Sequence, residues 1–334
     1  MKLAWLSFAL LAGACERGTP VGFEEQPTSQ QSAVSVPGFA RRDARLHVAH
    51  SGIRRLEFAG LSGPGLAFDE RITTDGEGRY ALEPAQGLES NTLDYGSFEL
   101  LHHLREGFFF RYRDFAVRDA RAFVRNWRVI DRGQSVLVAG RTCARFRVER
   151  AAGTADAYEL CIDPTTELVL ASEEYDGSGN LVASMTYSSL DLTPNLSRMV
   201  WHQSGNEETG LDRTRALGEQ IQARSLEPRL LPQGYAPLEA AVVREGQAAW
   251  LKLTYSDGVH PLFFLHSIDA NSLGKAAQVD GQRIGATPRS PSSVVACQIG
   301  SATALQGTVD GFEVIAIGKV SQAELLDLLE SALP

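Results

Sequence analysis

The segment CARFRVERAAGTADAYELC, residues 143–161, carries two of the four cysteines of this 334-residue chain. A pair of thiols can serve redox exchange, metal binding or cross-linking, and spacing separates these uses. Redox pairs are usually CxxC, and a zinc site needs further Cys or His at short range; this segment offers neither. If RTCARFRVER and AYELCID are the strands of a hairpin turning in AAGTAD, Cys143 can stand opposite Cys161. That register sets Phe146 against Tyr158, Ala144 against Leu160 and Thr142 against Ile162 on one face, with Arg145 against Glu159 beside the cysteines. Alternation, a charge pair and a cross-link are then satisfied together. A structural disulfide is the expected state, with two free buried thiols as the alternative. Cys297, in SSVVACQIG, reads as a buried core residue.

Other candidate chemistry is sparse. Gly-Ser-Gly at 177–179 reads as a hairpin turn, and GEGRYA at 76–81 opens a strand, so it cannot aim helix amides at a pyrophosphate. His47 and His50, three apart in an expected strand, would point to opposite faces, and the adjacent His102 and His103 share no face. No enzyme, cofactor or metal is expected.

The charge distribution is more informative. Between residues 105 and 128 seven arginines stand against Glu106, Asp114 and Asp119, a net +4 in a chain of −9. Arg118, Arg121 and Arg125 follow helical spacing in VRDARAFVRNW, where Val117, Ala120, Val124 and Trp127 would form the apolar face. Phe108, Phe109, Phe110 and Phe115 precede them. Aromatic surface rimmed by arginine suits an anionic amphiphile or an acidic peptide. The plainer alternative is a solvated helix face with the aromatics in a sheet core. The overall charge of −9 argues against nucleic acid as a partner.

These residues sit among recognisable elements. MKLAWLSFALLAGAC has a basic start, a short apolar run and small residues before Cys15, and the polar, proline-containing stretch 16–40 reads as a disordered tether. Residues 1–15 thus resemble a bacterial lipoprotein signal with Cys15 as the lipidated N-terminus, a plain secretory signal being the alternative. Both predict export to an oxidising compartment, where disulfides persist. Residues 41–193 read mostly as short alternating strands (RLHVAH, RRLEFAG, LAFDERITT, GRYALEP and those around the cysteines), with turns at DGEG and DGSG. A short helix is expected in SFELLHHL. Residues 194–228 read as a linker with a possible helix in RTRALGEQI. From 229 to 334 a smaller α+β unit follows, with strands at LEAAVVREG, AAWLKLTYSDG, HPLFFLHSI, SSVVACQIG and FEVIAIGKV. It closes on SQAELLDLLESAL, where Ser321 and Glu324 form a capping box.

NWRVIDRGQSVLVAGRTCARFRVER, AYELCIDPTTELVLASEEYDGSGNLVASMTYSSLDL and LPQGYAPLEAA, followed by LKLTYSDGVHPLFFLHS, GATPRSP and VDGFEVIAIGKVSQAELLDLL, resemble the MucB/RseB regulators of envelope stress in order and spacing. The likeness covers roughly residues 125–192 and 229–334. It implies an α+β protein: a half-open antiparallel β-barrel like the lipoprotein carriers LolA and LolB, with covering helices, then a smaller α+β domain. It also implies a periplasmic role, binding the periplasmic region of a membrane anti-sigma factor and releasing it when lipid or lipopolysaccharide binds. With Cys15 lipidated, the protein would be membrane-anchored. A lipid or lipoprotein carrier or acceptor is the alternative the same fold allows.

Overall fold

The computed structural model describes residues 38–40, 44–59, 66–84, 115–151, 156–203, 226–245, 248–267, 282–285, 294–299 and 302–332. Among them are a one-turn helix α1 (Ala44–His47) and three strands, β1 (Ala49–Phe58), β2 (Leu66–Asp75) and β3 (Arg79–Pro84). Helix α2 (Ala120–Asn126) follows, then β4 (Trp127–Val138), β5 (Arg141–Arg150), β6 (Ala157–Ile162), β7 (Val169–Tyr175), β8 (Leu181–Asp191) and β9 (His202–Gln203). These strands make one antiparallel sheet in the order β4-β5-β6-β7-β8-β1-β2-β3-β9. Among the described residues it does not close into a barrel, and β4 and β9 are its two edges. The α+β class and the open antiparallel first sheet agree with expectation.

The second sheet holds β10 (Ala236–Glu245), β11 (Ala248–Ser256), β12 (Pro261–Ser267), β13 (Gln282–Gly285), β14 (Val294–Ile299), β15 (Ala302–Val309) and β16 (Phe312–Gly318). Their order is β10-β11-β12-β16-β15-β14-β13. Helix α3 (Gln322–Ser331) buries Leu325, Leu328 and Leu329 in the core of this sheet. Its N-terminus is the expected capping box, with the Ser321 hydroxyl accepting from Glu324 N–H and the Glu324 carboxylate accepting from Ser321 N–H. Every residue of β12 is buried, because apolar clusters lie on both faces of this sheet, and so it reads as a continuous apolar run. Residues 36–334 form one compact unit that contains both sheets.

The turns carry their chemistry locally. In DGEG the Asp75 carboxylate accepts from the N–H groups of Glu77 and Arg79, and in DGSG Asp176 does the same for Ser178 and Asn180. Ala139 and Gly140 both have positive φ (49° and 75°) between the paired Val138 and Arg141, so β4 and β5 are joined by a two-residue type I′ turn.

Several expectations need correction. RLHVAH is a helical turn running into β1, since Ala44–His47 is helical and the strand starts at Ala49. The helix expected over 117–127 is shorter, because Asp119 caps it and Trp127 already belongs to β4. Its buried face is Ala122 and Phe123, whereas Val124 is exposed. Strands β13 and β15 were not foreseen; ATALQGTV in β15 lacks the bulky alternation that marks a strand. Part of the expected linker joins the sheets: β9 pairs with β3, and Leu226 is buried in the second core. SFELLHHL, residues 108–114 and RTRALGEQI lie outside the described residues.

Candidate functional site: the junction between the sheets

The cysteines are joined, with Cα atoms 5.4 Å apart and both side chains buried. The register differs from the expected one by two residues. Cys161 faces Arg145, Phe146 faces Leu160 and Arg147 faces Glu159, and Cys143 lies one residue past the last β5–β6 pair, Ala144 and Ile162. The bridge is therefore diagonal. A shift of two leaves every side chain on its own face, which is why alternation alone could not detect it. Glu159 now serves Arg147 (3.1 Å), Arg132 (2.6 Å) and, more loosely, Arg145 (3.8 Å). Burial pushes the Glu159 carboxyl up, but the hydrogen bonds from Arg132 and Arg147 outweigh it and leave it below the usual range.

Among the described residues, a connected set of buried polar contacts lies where the two sheets meet. Between β11 and β12 the chain turns through Ser256, Asp257, Gly258, Val259 and His260, and this turn inserts against α2, β4 and β6. Gly258 has φ +108°, and a Cβ placed on it would sit 2.3 Å from the Phe123 backbone nitrogen. Only glycine fits there. The Asp257 carboxylate accepts from the N–H groups of Val259 (2.8 Å) and His260 (2.7 Å) and pairs with the Arg150 guanidinium at 2.5 Å. The Asp257 carbonyl accepts from Asn126 Nδ2 (2.9 Å) and Trp127 Nε1 (3.2 Å), while Asn126 also donates to the Gly234 carbonyl at 2.8 Å. Arg150 stacks over the Trp127 ring at 4.8 Å.

A second strand of this network runs through Tyr158. Lys319 Nζ, just after β16, pairs with Glu174 of β7 and donates to the Tyr158 hydroxyl at 3.4 Å. That leaves the phenol proton for His260 Nε2, 2.6 Å away, and the Nδ1–H of that tautomer faces Asp257 at 3.3 Å. Burial drives the Tyr158 phenol well above its ordinary pKa, with the Glu174 charge adding to it. Burial also pushes the Asp257 carboxyl up, but His260 beside it, followed by Arg150 and the Val259 amide, outweighs it and holds the group at about 2. Asp257 is a buried carboxylate faced by Arg150, His260 and two backbone amides. The arrangement is a lock between two sheets, built from one turn.

Solved structures of MucB are similar to this chain. The Pseudomonas aeruginosa MucA/MucB complex aligns at 16% identity with a TM-score of 0.49, covering 89% of this chain and 96% of that one. MucB in complex with MucA(peri) aligns at 15% identity and a TM-score of 0.47 over 87% and 95% of the two chains. MucB alone gives 16%, 0.44, 87% and 94%. At these TM-scores the likeness is distant. No family model and no curated protein matches the sequence.

The arginine window divides. Arg118 lies before α2, half-buried, and its guanidinium donates to the carbonyls of Ala116 and Val259. It belongs to the lock. Arg121 and Arg125 are exposed on α2. Phe115 is buried, its ring 5.0 Å from that of Tyr158 and 6.3 Å from Phe39. Phe108, Phe109, Phe110 and Cys15 lie outside the described residues, and Cys297 is described only through its backbone in β14. Sequence reasoning did not single out Arg150, Tyr158, Asp257 or His260 as a set, although Ser-Asp-Gly, Leu-Pro-Gln-Gly and Asn-Trp are the stretches on which the family resemblance rests. A buried pair, Arg54 and Glu70, was also missed (2.6 Å, side chains 0% and 1% exposed). Its signal was available, since Arg54 shares a strand face with Leu56 and Phe58.

Proposed function

We propose that this is an exported envelope-stress regulator that binds the periplasmic region of a membrane anti-sigma factor and senses lipid or lipopolysaccharide. In this reading it works in the periplasm, held to a membrane through Cys15, and it carries no enzymatic activity. The observation that carries it is the meeting of three separated stretches: Asn126-Trp127, Gly234 of LPQG and Asp257 of the Ser-Asp-Gly turn touch one another directly. These are stretches through which the sequence resembles the MucB/RseB regulators, and here they join two sheets into one unit. A two-part clamp suits regulated holding of a partner. Sensing has a route in the same residues. Phe115 and Tyr158, which pack at the lock, also line a cleft with Leu56, Phe58, Met185 and Glu174. An acyl chain entering there would displace Tyr158 and so reach His260.

The open first sheet favours a second reading, a lipid or lipoprotein carrier. As it stands the cleft has free volume of about 20 Å³, room for one water, whereas sites that enclose small ligands run to hundreds of Å³. Crosslinking in cells followed by mass spectrometry separates the readings. Capture of an anti-sigma periplasmic region supports the regulator; co-purification of lipid or lipoprotein alone overturns it in favour of the carrier.

A further inference from the structure

Helix α2 and strand β4 form an unusual strip. Seven large apolar side chains are exposed among the described residues, and four of them fall here: Val124 (58%), Ile130 (38%), Val136 (39%) and Leu137 (72%). The same residues, 120–138, carry Arg121, Arg125, Arg128 and Arg132 against the single acid Asp131, a net +3 in a chain of −9. Arg132 is paired with Glu159 and Arg128 donates to the Ala151 carbonyl. Arg121 and Arg125 are exposed with no ion pair to a described residue.

Among the described residues, strand β4 is also an edge of the nine-stranded sheet. In a two-residue type I′ hairpin the flanking pair, Val138 and Arg141, exchanges both of its backbone hydrogen bonds. Alternation then turns the N–H and C=O of Leu137 and Ser135 away from β5, toward the open side. A bulge between Asp131 and Ser135, with Gly133 at φ +63°, divides the edge into an arginine-bearing half next to α2 and an apolar half at the hairpin tip. Exposed edges are normally blunted because they recruit strands. Among the described residues this one is blunted only in its middle, and it presents apolar side chains beside its outward-facing donors.

We infer that β4 is a docking edge for an extended, acidic segment of the regulated partner, which adds as a further strand with its carboxylates toward Arg121 and Arg125 and its apolar residues against Val136 and Leu137. This rests on the regulatory reading and specifies how the partner is held. Main-chain pairing supplies the affinity and the arginines choose the sign of charge. A second copy of this chain fits less well, since it would bring the same four arginines together across the edge.

The test uses the full chain in cells and in solution. A photo-crosslinking side chain at Leu137, with Val200 as an exposed control, reports what lies against the edge, and the crosslinked peptide is mapped. An acidic stretch of an anti-sigma periplasmic region trapped at 137 and not at 200 supports the inference. The same protein trapped by general crosslinkers but not at 137 overturns it and leaves the regulatory reading standing; no anti-sigma protein trapped anywhere overturns both. In solution, a labelled ten-residue peptide with a glutamate-rich half and a valine-rich half should bind at low salt, and its lysine–valine counterpart should not. Leu137→Pro, which removes an outward N–H and no ladder bond, should weaken binding at least tenfold. Leu137→Ser, which keeps that N–H and loses the apolar contact, should weaken it several-fold and stands in if the proline variant fails to fold. Arg121→Gln with Arg125→Gln should weaken it several-fold, an effect that fades as salt rises. Equal binding of the lysine peptide, or Leu137 variants that bind as wild type does, overturns the inference. A concentration-dependent dimer abolished by Leu137→Pro would assign the edge to a second copy instead.

Discussion

Arg54 and Glu70 stand directly opposite each other on β1 and β2, fully buried within an apolar face. Two charges taken out of water depend on close pairing, and breaking such a pair by removing one partner is strongly destabilising. Glu70→Gln is expected to cost about 3–5 kcal/mol in chemical denaturation, and Arg54→Met combined with Glu70→Leu should recover most of that loss. A double variant as unstable as the single one would show the pair to be more than mutual compensation. The Cys143–Cys161 bridge acts differently, chiefly by restricting the unfolded chain. Its loop should contribute about 3 kcal/mol, measured as the loss on Cys143→Ala with Cys161→Ala. Both residues were legible as a pair in the sequence, because charge, alternation and spacing agreed. Their diagonal offset was not, since nothing on either face changes when strands slip by two.

Hairpins and caps were legible because each is decided within a few residues: Asp75 and Asp176 close their own turns, and Ser321 with Glu324 caps α3. The junction was not, because its turn is more than a hundred residues from the strands it meets, and Asp257 reads locally as nothing more than a turn aspartate. Two predictions belong to this turn. Gly258→Ala adds a methyl where the Phe123 backbone already lies and demands a left-handed φ of an alanine, so a loss of at least about 3 kcal/mol is expected. An alanine variant melting like wild type would mean that the turn can retreat from α2 without cost. Asp257 sets a pH dependence. Its folded pKa of about 2 lies below the ordinary aspartate value, so its contribution is complete above the unfolded pKa and is lost as pH falls through about 2. Linkage puts that contribution at about 2–3 kcal/mol. Asp257→Asn can still accept the Val259 and His260 amides but loses the charge, so its stability should fall less steeply between pH 4 and about 2 than that of wild type. Parallel acid-unfolding curves for the two proteins would remove Asp257 from the account.

At the scale of the whole molecule, the lock decides whether two sheets behave as one body. Val259 of the second sheet packs in the same apolar cluster as Phe123, Trp127, Val148 and Tyr158 of the first, and Lys319 reaches back to Glu174. Neither sheet can leave the other without exposing Trp127 and stranding Asp257, Arg150 and His260 in unsatisfied surroundings. The wild-type protein is therefore expected to unfold in a single calorimetric transition, with van't Hoff and calorimetric enthalpies agreeing. Arg118→Ala with Asn126→Ala removes four hydrogen bonds to backbone carbonyls, three of which cross the junction. At about 1.5–3 kcal/mol for each crossing bond from a charged group and about 1 kcal/mol for each neutral one, the loss is comparable to the stability of a small domain. The double variant should unfold in two steps, the first reporting exposure of Trp127 by fluorescence while the second sheet keeps its strand signal. A variant that still melts in one step, shifted only in temperature, would mean that apolar packing around Trp127 and Val259 couples the sheets without the hydrogen bonds. Ligand sensing through Tyr158 would then have to act on that packing.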